Sequence, residues 1–222
     1  MFAALAQRFV SLRMANRFVD FIDNPGSLNK IIGLADSIAG SPLSRQMVNY
    51  LLVNPTMAAL IIEHWRPAPI AFEVLETLPP SSLGYIYSRH MRRQELSPAS
   101  VIDASPITSS HEYIFHRVRE THDIVHVLTG FGIDAAGELG IQGFILAQIR
   151  SPLAVFFIFG GILAALKNQL PLDELLKSLA RGFELGLQAQ CVIACKLEEG
   201  WDRPLVNWQQ ELGLPVSQNL DT

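Results

Sequence analysis

The sequence predicts an all-α fold, a single multi-helix domain spanning 1–222, and three observations predict it. No stretch keeps the apolar–polar alternation of a half-buried strand, whereas apolar residues recur at helical spacing through most of the chain. Proline and glycine turns divide these stretches at Asp23-Asn24-Pro25-Gly26, Gly40-Ser41-Pro42 and Asn54-Pro55. Helix-start signals stand where new helices are needed, above all Ser109 with Glu112 three residues on, the spacing of a capping box.

The elements follow in order. Residues 4–22 form an amphipathic helix with three arginines before the first acid, Asp20. It reads as an ordinary first helix, with an organelle presequence or an interfacial helix over 1–15 as the alternative. Further helices are expected at 27–39, 43–52, 56–64, 70–77 and 83–94. The motif "WRPAPI" (65–70) forces an extended turn, because the residue before a proline avoids the α region. A loop covers 97–108. The next helix starts at the Ser109 cap, runs to Thr129 and stops at Gly130. Asp134 caps its successor, which runs to about Arg150. Ser151-Pro152 restarts the chain for 153–168, and Pro171 precedes one long helix over 172–199. A short closing helix lies in "WDRPLVNWQQELGLP" (201–215).

Composition narrows the function classes. Charged residues make up 17% and hydrophobic ones 49% of 222 residues, so some apolar surface is expected to meet a lipid, a ligand or a second subunit. A formal charge of -4 argues against a nucleic-acid partner. Cys191 and Cys195, four apart in a helical pattern, read as two small buried hydrophobes rather than a disulfide framework. The uncharged run 151–166 is too short for a membrane span. It reads as a buried helix, with a lipid-facing or ligand-lining helix as the alternative.

The chemistry concentrates in "RETHDIVHVLTGFGIDAAGELG" (119–140). Residues four apart share a helix face, so His122 and His126 point the same way, with Asp123 on the adjoining edge. On a straight helix Glu138 would lie about 18 Å away. The segment "GFGID" (130–134) can reverse the chain, so an antiparallel helix pair would return Glu138 to His126. Two imidazoles and two carboxylates suit a divalent ion, zinc first, with iron, manganese or magnesium also compatible. A polar patch without a metal is the other reading. Arg119 is either an outer partner, a reader of an anionic ligand or half of a surface ion pair. His111 and His116 fall off the His122/His126 face and are read as non-ligands. Arg89, Arg92 and Arg93, with Tyr85 and Tyr87, make either a solvated basic face or a head-group site; Tyr85, Arg89 and Arg119 are its candidate residues.

"HDIVHVLTGFGIDAAGE" also fits His-Asp-x-x-His-x11-Glu, and the chain resembles the coenzyme Q (ubiquinone) biosynthesis protein 4 family in that motif. "LPPSSLGYIYSRHM", "RVRETHD", "RGFELGLQAQ" and "DFIDNPGSLNKIIGLADSIAG" resemble other family segments, so the likeness covers roughly 20–214. The strongly apolar 139–166 region departs most from the pattern. The resemblance implies an all-α protein whose His122, Asp123, His126 and Glu138 ligate a divalent metal and form the candidate catalytic set. It implies quinone biosynthesis, with removal of the ring C1 carboxylate and hydroxylation at that carbon. A non-catalytic scaffold that binds a polyprenyl lipid and organises partner enzymes is the alternative. The expected partners are a prenylated lipid or quinone precursor, other quinone-biosynthesis enzymes, a membrane surface and a second copy in a homodimer. The expected location is peripheral to a membrane, on the cytoplasmic side in a bacterium or the matrix side in a mitochondrion.

Overall fold

In the computed structural model, which describes residues 15–19, 28–69, 71–95 and 107–216, every regular element is helical. The order is α1 (Leu28–Ile38), α2 (Pro42–Leu52), α3 (Pro55–Glu63), α4 (Phe72–Leu75), α5 (Leu83–Arg93), α6 (Ser110–Thr129), α7 (Ala135–Ile149), α8 (Pro152–Lys167), α9 (Leu172–Gln188) and α10 (Leu205–Leu212). Two short 3-10 turns, Val192–Ala194 and Leu197–Gly200, lie between α9 and α10. Residues 15–19 are helical; the rest of the amphipathic helix expected at 4–22 lies outside the described residues, as does most of the loop expected at 97–108.

Caps set most of these boundaries. The Asn54 side chain accepts from Met57 N–H, Ser82 from Tyr85 N–H, Ser109 from Glu112 N–H, Asp134 from Gly137 N–H and Ser151 from Ala154 N–H. The Glu112 carboxylate accepts from the Oγ1 and N–H of Thr108, with a smaller contribution from the Ser109 backbone, and these bonds hold its pKa below the usual carboxylate value. Gly130 closes α6 in the left-handed region, at φ 71°, where its N–H reaches the His126 carbonyl.

The helices pack in two compact units, formed by residues 1–50 with 133–187 and by residues 51–132 with 188–222. In the first, α8 packs on α1 and α7. Leu34 and Ile38 are covered by Phe18, Leu153, Phe156 and Phe157, and a second cluster joins Leu139, Ile158, Ala165 and Leu175. The helices α7 and α9 meet at their glycines. A Cβ on Gly182 would overlap the Gly140 carbonyl, and one on Gly186 would stand 2.6 Å from the Phe144 oxygen. The buried reading of α8 holds for Pro152, Ala154, Ile158, Gly160 and Ala165. Val155, Phe159, Leu163 and Leu166 are exposed along its other side.

In the second unit, α5 and α10 pack on α6. The helix expected over 172–199 ends at Gln188, and Cys191 and Cys195 sit in the irregular segment beyond it. Arg117, 1% exposed, is the cause. Its guanidinium takes hydrogen bonds to the carbonyls of Ile193 (3.3 Å) and Cys195 (2.7 Å) and pairs with Glu198 at 2.6 Å. Two carbonyls that a continuing helix would use internally are thereby committed to a buried charge. Gln190 N–H likewise bonds the Leu212 carbonyl (2.9 Å).

Candidate metal centre

His122 and His126 lie one turn apart on α6, as their spacing predicts, with His126 buried and His122 half-buried. Their Nε2 atoms are 3.2 Å apart. Two ligands each about 2.1 Å from a common tetrahedral ion stand about 3.4 Å apart, so the pair already has near-ligating separation.

The turn fixes which nitrogen is available. His126 Nδ1 is 3.0 Å from the Phe131 carbonyl oxygen, which only accepts. Nδ1 therefore carries the proton, and in the neutral ring the Nε2 lone pair faces His122. A carbonyl holding the far side of an imidazole is the usual arrangement around a metal-binding histidine. Gly130 permits it, because its left-handed conformation turns the chain so that Phe131 O comes back to the helix end.

Asp134 then caps α7 and places Glu138 in its first turn, where the helix dipole favours a carboxylate. One donor atom from each of His122, His126 and Glu138 lies within 4.8 Å of the others, and this His/His/Glu group could bind a metal ion. The structure brings three of the four expected ligands together. Asp123 is half-buried on the adjoining edge, where its charge acts on Tyr87 and His90.

His90 is the residue that sequence reasoning missed. Its ring stacks on His126 with centroids 5.8 Å apart and planes at 22°. Burial pushes its pKa below the usual histidine value, against the opposing pull of Asp123. Tyr87 beneath it stacks on Trp201 at 5.0 Å, and burial, then Asp123, raises its phenol well above the usual range. Arg89 is exposed, Tyr85 and Arg119 are half-buried, and Arg92 is tied to Glu73 (2.6 Å) and Glu76 (3.0 Å).

Residues 10–217 match the family model described as coenzyme Q (ubiquinone) biosynthesis protein Coq4. The chain belongs to the Coq4 family. Among its relatives is the mitochondrial ubiquinone biosynthesis protein COQ4 of Meyerozyma guilliermondii, 24% identical over 94% of this chain and 67% of that protein. Those of Eremothecium gossypii and Bos taurus are 31% and 32% identical over 66% and 63% of this chain. The chain spans about half the length of these last two relatives, 45% and 53%. The crystal structure of a candidate ubiquinone biosynthesis protein from Nostoc punctiforme superposes with a TM-score of 0.82 at 26% identity, covering 96% of this Coq4 chain and 99% of that one. No helix among the described residues is long and apolar enough to cross a membrane.

Proposed function

We propose that this Coq4 chain is a metal-dependent enzyme of ubiquinone-type biosynthesis, acting at ring C1 of a prenylated 4-hydroxybenzoate-type acid. The observation that carries the reading is the paired Nε2 atoms of His122 and His126, with the Nδ1 proton of His126 committed to Phe131 O. His122, His126 and Glu138 would ligate a divalent ion, zinc first by its tolerance of this donor set, and Asp123, the fourth expected ligand, would stand beside them. The ion supplies Lewis acidity toward the ring carboxylate. The Phe131 carbonyl fixes the His126 ring, and the Asp134 cap fixes the start of the helix that carries Glu138. In balance, the aryl acid, water and dioxygen give the phenol, carbon dioxide and hydrogen peroxide. The bond from C1 to the carboxylate breaks, a C1–oxygen bond forms, and dioxygen takes the two electrons.

Purified protein supplied in turn with zinc, manganese and ferrous iron, and with the prenylated acid under air, is expected to release carbon dioxide. The His126→Ala variant is expected to release none. No release with any of the three ions would sink the catalytic reading.

One observation favours a second reading, a lipid-binding scaffold at a membrane surface. Val155, Phe159, Leu163 and Leu166 form an exposed apolar stripe on α8, a helix with no charge between Pro152 and Leu166. A polyprenyl chain would lie along it. Co-purified prenyl lipid without turnover would favour this reading, as would loss of that lipid in Phe159→Asp.

A further inference from the structure

Among the described residues, two buried side-chain nitrogens have no hydrogen-bond partner, His90 Nε2 and His116 Nδ1. Burying such an atom unsatisfied is unfavourable, so each asks for a reason. His116 sits six residues before His122 on another face of α6, its ring edge-on to Phe115 at 6.3 Å. Nothing near it points to a ligand. His90 differs in every respect that matters. It reaches α6 from α5, stacks on the His126 imidazole, and stands in the field of His122, Asp123 and Arg93. Three imidazoles thus adjoin one another, His122 edge-on to His126 at 4.8 Å and His90 face-on to it at 5.8 Å. His90 does not join the group whose donor atoms converge.

We propose that His90 is a ligand-binding residue of this site: its Nε2–H donates a hydrogen bond to an oxygen of a carboxylate or phenolate ligand held beside His122 and His126, while its ring face steadies the His126 imidazole. This rests on the metal reading of the histidine pair. A donor at this place explains both features of His90 at once. The stacked ring fixes where Nε2 stands, and with the ring proton on Nε2 an oxygen anion is the partner that this buried atom lacks. Arg93 nearby favours an anion over a neutral ligand, against Asp123, which disfavours it.

The test uses cobalt(II) as the ion and 4-hydroxybenzoate as the probe, both read by visible absorption, in wild type, His90→Phe and His90→Gln. Phenylalanine keeps a stacking ring and removes the nitrogen. Glutamine restores an N–H near the Nε2 position. In His90→Phe, cobalt affinity is expected to stay within about 3-fold of wild type while 4-hydroxybenzoate binds about 10-fold more weakly, the loss of one hydrogen bond to a charged group. His90→Gln is expected to recover part of that loss. Equal 4-hydroxybenzoate affinity in wild type and His90→Phe overturns the proposal and leaves the metal reading standing. So does failure of glutamine to recover any binding, which assigns the loss to packing. A large fall in cobalt affinity in His90→Phe also overturns it, because His90 would then be a ligand. Absence of cobalt binding in wild type overturns the metal reading and this proposal together.

Discussion

His126 and Cys191 show how a neighbouring carbonyl or a layer of apolar atoms decides what one side chain can do. For His126 the Phe131 oxygen selects the tautomer, and the lone pair that results is the one a metal would use. For Cys191 burial disfavours the thiolate and raises the pKa to about 11, with Cys195 adding a smaller push in the same direction. The residue itself is half-buried, not fully buried as the sequence suggests, and the segment around it is not an α-helix. The thiolate is the reactive form, so reactivity should follow this shift. At pH 8 a rise of two pKa units lowers the thiolate share about 100-fold. Iodoacetamide is accordingly expected to label Cys191 at least ~100-fold more slowly in the native protein than in the urea-unfolded chain, measured by mass spectrometry of the tryptic peptide. Comparable rates in the two states would show that the thiol is neither buried nor shifted.

Helix boundaries were legible wherever the signal is local. Ser109, Gly130, Asp134 and Ser151 sit at the ends they were expected to mark, because a cap is a bond between residues a few positions apart. The same locality made the His122/His126 pair and the return of the chain toward Glu138 readable. The end of α9 at Gln188 was not readable, because Arg117, more than seventy residues earlier, breaks it by recruiting carbonyls from the segment that follows. His90 was missed for a like reason: nothing in its local sequence sets it apart, and only the packing of α5 on α6 brings it to His126. Removing the Arg117 guanidinium leaves Glu198 buried at 6% side-chain exposure without its partner. Arg117→Ala is expected to cost about 3–5 kcal/mol, read from urea denaturation, and to expose 189–200 to proteolysis. An unchanged midpoint would show that the charge does not organise this segment. Glycine substitutions separate propensity from packing. Alanine normally gains up to about 1 kcal/mol over glycine in a helix. At Gly33, where a Cβ would meet only the Arg17 side chain at 3.6 Å, that gain should appear. At Gly182 the neighbour is the Gly140 backbone, which cannot step aside, so overpacking wins and Gly182→Ala should lose about 1–3 kcal/mol. Stabilisation at both sites would mean that α7 and α9 do not approach so closely.

Across the whole molecule, an ion bound at the candidate site would be coupled to folding. Its donors come from two helices joined by a five-residue turn, and the unfolded chain has no means of holding them within 4.8 Å of one another. An ion that binds only the folded state stabilises it by about 2.7 kcal/mol at a concentration one hundred times its Kd. For a chain of 222 residues each kcal/mol moves the thermal midpoint by about 2–4 °C. Zinc at that excess is therefore expected to raise the midpoint of the metal-free protein by about 5–10 °C, and a chelator to reverse the rise. The His126→Ala variant removes the ligand whose tautomer the turn has fixed, and its midpoint should not respond to zinc. His116→Ala, which alters a buried histidine on another face of α6, should keep the full response whatever its own starting stability. Equal zinc shifts in wild type and His126→Ala would place the ion elsewhere on the molecule, and the geometry at the end of α6 would then need another explanation.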